Sequence, residues 1–157
     1  EEAQQQLSTE SLKTLPEIEG YFKKDYRSMI EEWATHQHKV DVERFKMDEF
    51  KQIIVDEQTL NIKPSVSEEQ RKHILQANAL TQIMSYSQAI EHYNKVIELN
   101  QASYPSAYFN LALLSAQINK YHAAIDYMKK YQLLNTEISD VQNVNSKIRD
   151  WEIMLQN

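Results

Sequence analysis

Tyr86-Ser-Gln-Ala89-Ile90-Glu91-His-Tyr93-Asn-Lys95 and Tyr121-His-Ala-Ala124-Ile125-Asp126-Tyr-Met128-Lys-Lys130 are two copies of one pattern. Ala89 and Ala124 stand thirty-five residues apart, and the other matched residues keep that offset. A period in the mid-thirties leaves room for two helices per unit and marks an array of stacked helical hairpins. One glycine and three prolines among 157 residues are too few for β-hairpin turns, which need residues that tolerate positive φ. The chain reads as all-α.

The second unit is the clearer one: Pro105-Ser-Ala-Tyr108-Phe-Asn-Leu111-Ala112-Leu, then Asn119-Lys-Tyr121, then Ala124, Met128, Tyr131 and Leu134. This pattern resembles the tetratricopeptide-repeat family. In that family a large residue opens helix A and a Leu and a small residue follow one turn later. A Tyr precedes helix B, and an Ala near its start lets the helices approach. Tyr108, Leu111, Ala112, Tyr121 and Ala124 fill those places. Small residues matter because helices reach about 8–10 Å separation only where side chains are short. In the first unit His73 and Gln76 stand at the large and Leu places, followed by Ala77, Leu80, Tyr86, Ala89 and Tyr93. Both units depart from the family in carrying Met84 and Asn119 where a Gly usually follows helix A, and neither closes with a Pro.

Outward from the repeats, the expected organisation is a tail or weak helix over 1–15, an N-terminal helical segment over 16–63 and a repeat domain over 67–157. Within the last, repeat 1 takes about 70–103, repeat 2 takes 105–138 and a capping helix 139–156. The resemblance implies an α-α superhelix with extra N-terminal helices. Pro16 suits a first helical position, and Ile18, Phe22, Tyr26, Met29, Ile30 and Trp33 recur at spacings of three and four. Val42, Phe45, Phe50, Ile53 and Ile54 form a second apolar set with Asp41 as N-cap, so a break near Thr35 to Lys39 is expected. One long helix is the alternative, because Trp33, Val40, Met47 and Ile54 recur every seven residues. The 16–63 segment is expected to pack on the first repeat as an N-terminal cap or a degenerate repeat. At the other end Val141, Val144, Ile148, Trp151 and Leu155 form one stripe, with Ser139 and Gln142 placed for a capping box.

The family's first helices line a concave groove. Carried over residue by residue, the groove positions are Arg71, Ile74, Asn78, Thr81 and Gln82, then Ser106, Phe109, Leu113, Ala116 and Gln117. An apolar floor of Ile74, Phe109 and Leu113 rimmed by amides suits an extended peptide or a helix. The alternative is that the N-terminal helices fill the groove. Adaptors of the family that clamp a C-terminal carboxylate pair basic residues with asparagines. Asn78 and Asn110 match the asparagine places, but Ile74 stands at a basic one, so that clamp is not expected here.

His36-Gln-His38 places two imidazoles two residues apart, which on a helix point away from each other, and metal pairs want three or four. His73, His92 and His122 read as scattered over the repeat helices, and no Ser, Cys or carboxylate pair shares a catalytic spacing with them. No metal, cofactor, small-molecule substrate or enzymatic activity is expected. The net charge of −6 speaks against nucleic acid, whose phosphates are bound by clustered Lys and Arg. The expected role is a non-catalytic scaffold for a protein or peptide. A regulatory or dimerising module, pairing through Phe22, Met29 and Trp33 as a homodimer, is the alternative. The opening Glu-Glu-Ala-Gln-Gln-Gln reads as a processed protein or an excised fragment. Tyr104 to Tyr131 and Lys147-Ile-Arg-Asp-Trp-Glu also resemble bacterial tetratricopeptide proteins that are exported or lipid-anchored, which favours the cell envelope over the cytoplasm.

Overall fold

The structure is a computed structural model that describes the backbone of residues 2–60, 64–135, 139 and 141–157, with side chains from Ser28 onward. Among the described residues there are six helices and no strand: α1 (Glu2–Thr59), α2 (Glu68–Gln82), α3 (Tyr86–Leu99), α4 (Pro105–Gln117), α5 (Tyr121–Leu134) and α6 (Val141–Gln156). They divide into two compact units, Glu1–Glu49 and Phe50–Asn157.

The first unit is the greater part of α1, and it corrects the expected break. The helix runs unbroken through Pro16, Gly20 and the Thr35–Lys39 stretch. Thr35 at the expected break and Asp41, the expected N-cap, make bonds inside the helix instead. Thr35 Oγ1 donates to Glu31 O at 2.8 Å, and Asp41 Oδ1 accepts from Gln37 Nε2 at 3.2 Å. Asp41 therefore supports an i,i+4 pair rather than starting a new helix. The side chains of Ile18, Phe22 and Tyr26 lie outside the described residues.

In the second unit α2 pairs with α3 and α4 with α5, while α3–α4 and α5–α6 contacts stack one hairpin on the next. This is an all-α, tetratricopeptide-like superhelix. Two cores hold it. Ala77, Ala89, Tyr93, Val96, Ala107, Leu111 and Leu114 join α2, α3 and α4. Ala112, Ala124, Ile125, Met128, Val144, Ile148 and Trp151 join α4, α5 and α6. Successive residues Leu111 and Ala112 thus face different cores. An α4 that is apolar on two sides, with Ser106, Asn110 and Gln117 on the third, fits this central place. On α2 the residues equivalent to buried Ala107, Leu111 and Leu114 are Lys72, Gln76 and Ala79, and all three are exposed. Leu75 and Ile83 are exposed on that same side of the first hairpin.

Local chemistry sets the ends. Ser67 and Gln70 close a capping box on α2, with Gln70 N donating to Ser67 Oγ at 3.1 Å and Ser67 N to Gln70 Oε1 at 3.0 Å. Glu68 and Glu69 add favourable charge at the helix N-terminus. The buried Gln70 amide also donates to Val96 O at 2.8 Å and Ser103 Oγ at 2.7 Å, tying the start of α2 to the α3–α4 loop. Asn100 Oδ1 accepts from the Ala102 and Ser103 backbone N–H groups at 2.9 and 3.0 Å, which shapes that loop before Pro105 opens α4. Phe50, in the last turns of α1, is 3% exposed. Its ring meets Tyr108 edge-on at 5.5 Å, with Lys130 Nζ 5.6 Å from its centroid. The capping box proposed for α6 involves the turn at Ser139, whose neighbours 136–138 and 140 lie outside the described residues.

Both hairpins turn the same way. Ser85 N donates to Leu80 O at 2.9 Å and Met84 N to Thr81 O at 3.0 Å. Lys120 N to Ser115 O at 2.8 Å and Asn119 N to Ala116 O at 3.0 Å repeat the arrangement. This is the Schellman motif, and its C′ residue is left-handed: Met84 and Asn119 both have φ of 59°. These are the places where the family uses Gly. Asn tolerates this region better than Met does, because its short polar side chain bonds locally. Met84→Gly should therefore stabilise the fold by about 1 kcal/mol, and by more than Asn119→Gly, in urea denaturation. A Met84→Gly variant that is less stable than the parent would contradict a strained left-handed turn.

Candidate interaction surface

The ten groove positions divide between α2 and α4. Arg71, Asn78, Gln82, Ser106 and Gln117 are exposed, while Ile74, Thr81, Phe109, Leu113 and Ala116 are half-buried. The apolar floor is anchored from below. Ile74 packs on the first core, and Phe109, Leu113 and Ala116 pack on the second. Phe109 lies with its ring 5.2 Å from Tyr131, so its side chain serves the α4–α5 packing as well as the surface. Thr81 Oγ1 donates back to Ala77 O at 2.8 Å and is held in place by its own helix.

The two asparagines are joined by a residue from a third helix. Tyr93 on α3 is buried, and its hydroxyl donates to Asn78 Oδ1 on α2 and accepts from Asn110 Nδ2 on α4 at 2.9 Å. One phenol therefore fixes a polar side chain from each repeat. Asn78 Nδ2 and Asn110 Oδ1 take no part in this network, so the pair keeps amide N–H donors and a carbonyl acceptor for a further partner. A second tyrosine bridge ties the helices behind: Tyr127 Oη on α5 donates to Asn94 Oδ1 on α3 at 3.1 Å.

Sequence reasoning missed two features. Nothing in the sequence singles out Gln70, and only the fold brings Ser103 within its reach. His73 and His92, expected to be scattered, meet with Nδ1 atoms 3.0 Å apart. The thirty-five-residue offset was the available signal, since it equates these histidines with Tyr108 and Tyr127, whose rings lie 6.4 Å apart. Among the described residues no group of three or more His, Asp or Glu side chains is placed to hold a metal ion, and no helix is long and apolar enough to cross a membrane.

Burial raises the pKa of three hydroxyls. Burial is the main cause for Tyr93, with Tyr104 adding to it and the Asn110 hydrogen bond opposing it. Tyr108 is shifted furthest, by burial and then by Tyr127 and Asp126. Tyr127 follows from burial and Asp126, against the hydrogen bond to Asn94. A raised folded-state pKa means that the unfolded chain releases these protons first, so the stabilisation is complete below about pH 10 and is lost as pH rises beyond it. Ultraviolet titration should show these phenols ionising late, and urea stability should fall above about pH 10, less steeply in Tyr108→Phe. Stability that stays flat through that range would contradict the burial.

Comparison with known proteins agrees with this geometry. The family model described as tetratricopeptide repeat matches residues 105–137, which hold α4, α5 and the turn between them. No curated protein and no solved structure was found to match the chain. The α2–α3 hairpin repeats the α4–α5 hairpin at its alanines, its Schellman turn and its offset, so the helix-pair packing on both sides of the matched stretch fits a tetratricopeptide-repeat fold.

Proposed function

We propose that this chain is a non-catalytic scaffold that binds an extended peptide or a partner protein across the α2–α4 face. The repeat itself is of a kind that serves protein–protein interaction. The observation that carries the finer reading is the Asn78–Tyr93–Asn110 bridge. A peptide backbone offers alternating N–H and C=O groups, and a fixed asparagine pair offers the complementary acceptor and donor. Side chains held in place before binding lose little conformational entropy when a ligand arrives. Beside them Ile74, Phe109 and Leu113 supply apolar surface for alternate side chains.

A second reading, a homodimer through α1, is favoured by one observation: Met29 and Trp33 are 60% and 66% exposed. Light scattering separates it, because a monomer at all concentrations removes it.

The groove reading is tested with a peptide selected against the whole chain from a display library. Asn78→Ala should weaken that peptide about tenfold, the loss expected for one or two hydrogen bonds, while Glu98→Ala on α3 should not. A selected peptide indifferent to Asn78→Ala, Gln82→Ala and Gln117→Ala would overturn the assignment of this face.

A further inference from the structure

Each hairpin carries an aromatic pair at matched places, one ring on its first helix and one on its second. In the second hairpin they are Tyr108 and Tyr127, and Phe50 covers Tyr108. In the first hairpin both members are imidazoles, His73 on α2 and His92 on α3. Their ring centroids lie 5.3 Å apart, closer than the tyrosine pair, and both rings are half-buried, so one side of the pair remains open to water. The two rings converge through like atoms, with Nδ1 to Nδ1 at 3.0 Å.

We propose that His73 and His92 form a two-imidazole chelate for a divalent first-row transition ion, Zn(II) or Cu(II), that clips α2 to α3. Metal–imidazole bonds of about 2.0–2.1 Å place two ligand nitrogens roughly 2.9–3.4 Å apart for angles between a right angle and tetrahedral. The observed 3.0 Å lies within that span, so the rings need only turn about their own bonds to aim both lone pairs at one ion. The helices need not move. Without an ion, and with both rings neutral, one Nδ1–H points at the other Nδ1. Binding transfers that hydrogen to Nε2 of the same ring, and no net proton is released. Imidazole donors select Zn, Cu and Ni over the oxygen-seeking Mg and Ca. Water completes the coordination from the open side. The net charge of −6 favours a cation's approach.

The test is calorimetric titration of the untagged whole chain with zinc chloride and, separately, copper(II) chloride. One equivalent should bind, and the melting temperature should rise with it. His73→Tyr/His92→Tyr rebuilds the pair used by the second hairpin, so it should keep the helical circular dichroism and bind at least tenfold more weakly. His36→Gln/His38→Gln and His122→Gln should bind as the parent does. Side-chain nitrogen resonances provide a check that needs no variant: on adding zinc, Nδ1 of His73 and His92 should shift together while His36, His38 and His122 stay put. A parent chain with no binding step, tight binding that survives the double tyrosine variant, or zinc-induced shifts confined to the other histidines would each overturn the proposal.

Discussion

Helix α4 has to satisfy two neighbours at once, and the second unit is organised by that demand. Leu111 and Leu114 enter the core shared with α2 and α3, while Ala112 enters the core shared with α5 and α6. A helix with apolar residues on two sides cannot stand at the edge of a fold, because one of those sides would remain in water, and only the Ser106, Asn110 and Gln117 side of α4 is polar. It has to be sandwiched. Within each hairpin the helices come close because small residues lie between them: Ala77 and Ala89 in the first core, Ala112 and Ala124 in the second, all four fully buried.

The polar features follow from this packing. A buried tyrosine costs stability unless its hydroxyl finds a partner, and Tyr93 finds two, one on each neighbouring first helix. The proposed interaction surface is thus fixed by a residue that is itself part of the core. Gln70 repeats the logic at the bottom of the first hairpin, satisfying Val96 O and Ser103 Oγ from a capping residue. Among the described residues no buried side-chain nitrogen or oxygen is left without a hydrogen bond.

The repeats, their small-residue contacts and the Val144, Ile148 and Trp151 part of the α6 stripe were legible in the sequence because each is a local pattern at a fixed offset, while Val141 and Leu155 at the ends of that stripe are exposed. The turns were half legible: the absence of Gly at Met84 and Asn119 was visible, but its consequence, a left-handed methionine, needed backbone angles. The expected break in α1 failed for a definable reason. An Asp before an apolar run caps a helix or makes an i,i+4 bond within one, and residue type alone does not separate the two. The ten groove positions could be placed on helices from the family pattern. The Tyr93 bridge, the Phe50–Tyr108 contact and the meeting of His73 with His92 depend on residues far apart in the chain, which periodicity does not reveal.

The stacking of one hairpin on the next is most directly read by nuclear Overhauser contacts from two tyrosine rings. Cross-peaks should join Tyr93 to the side-chain amide of Asn110, linking α3 to α4, and Tyr127 to that of Asn94, linking α5 to α3. If both are missing while the helices remain intact, the hairpins do not stack and α4 is not the shared centre of the fold.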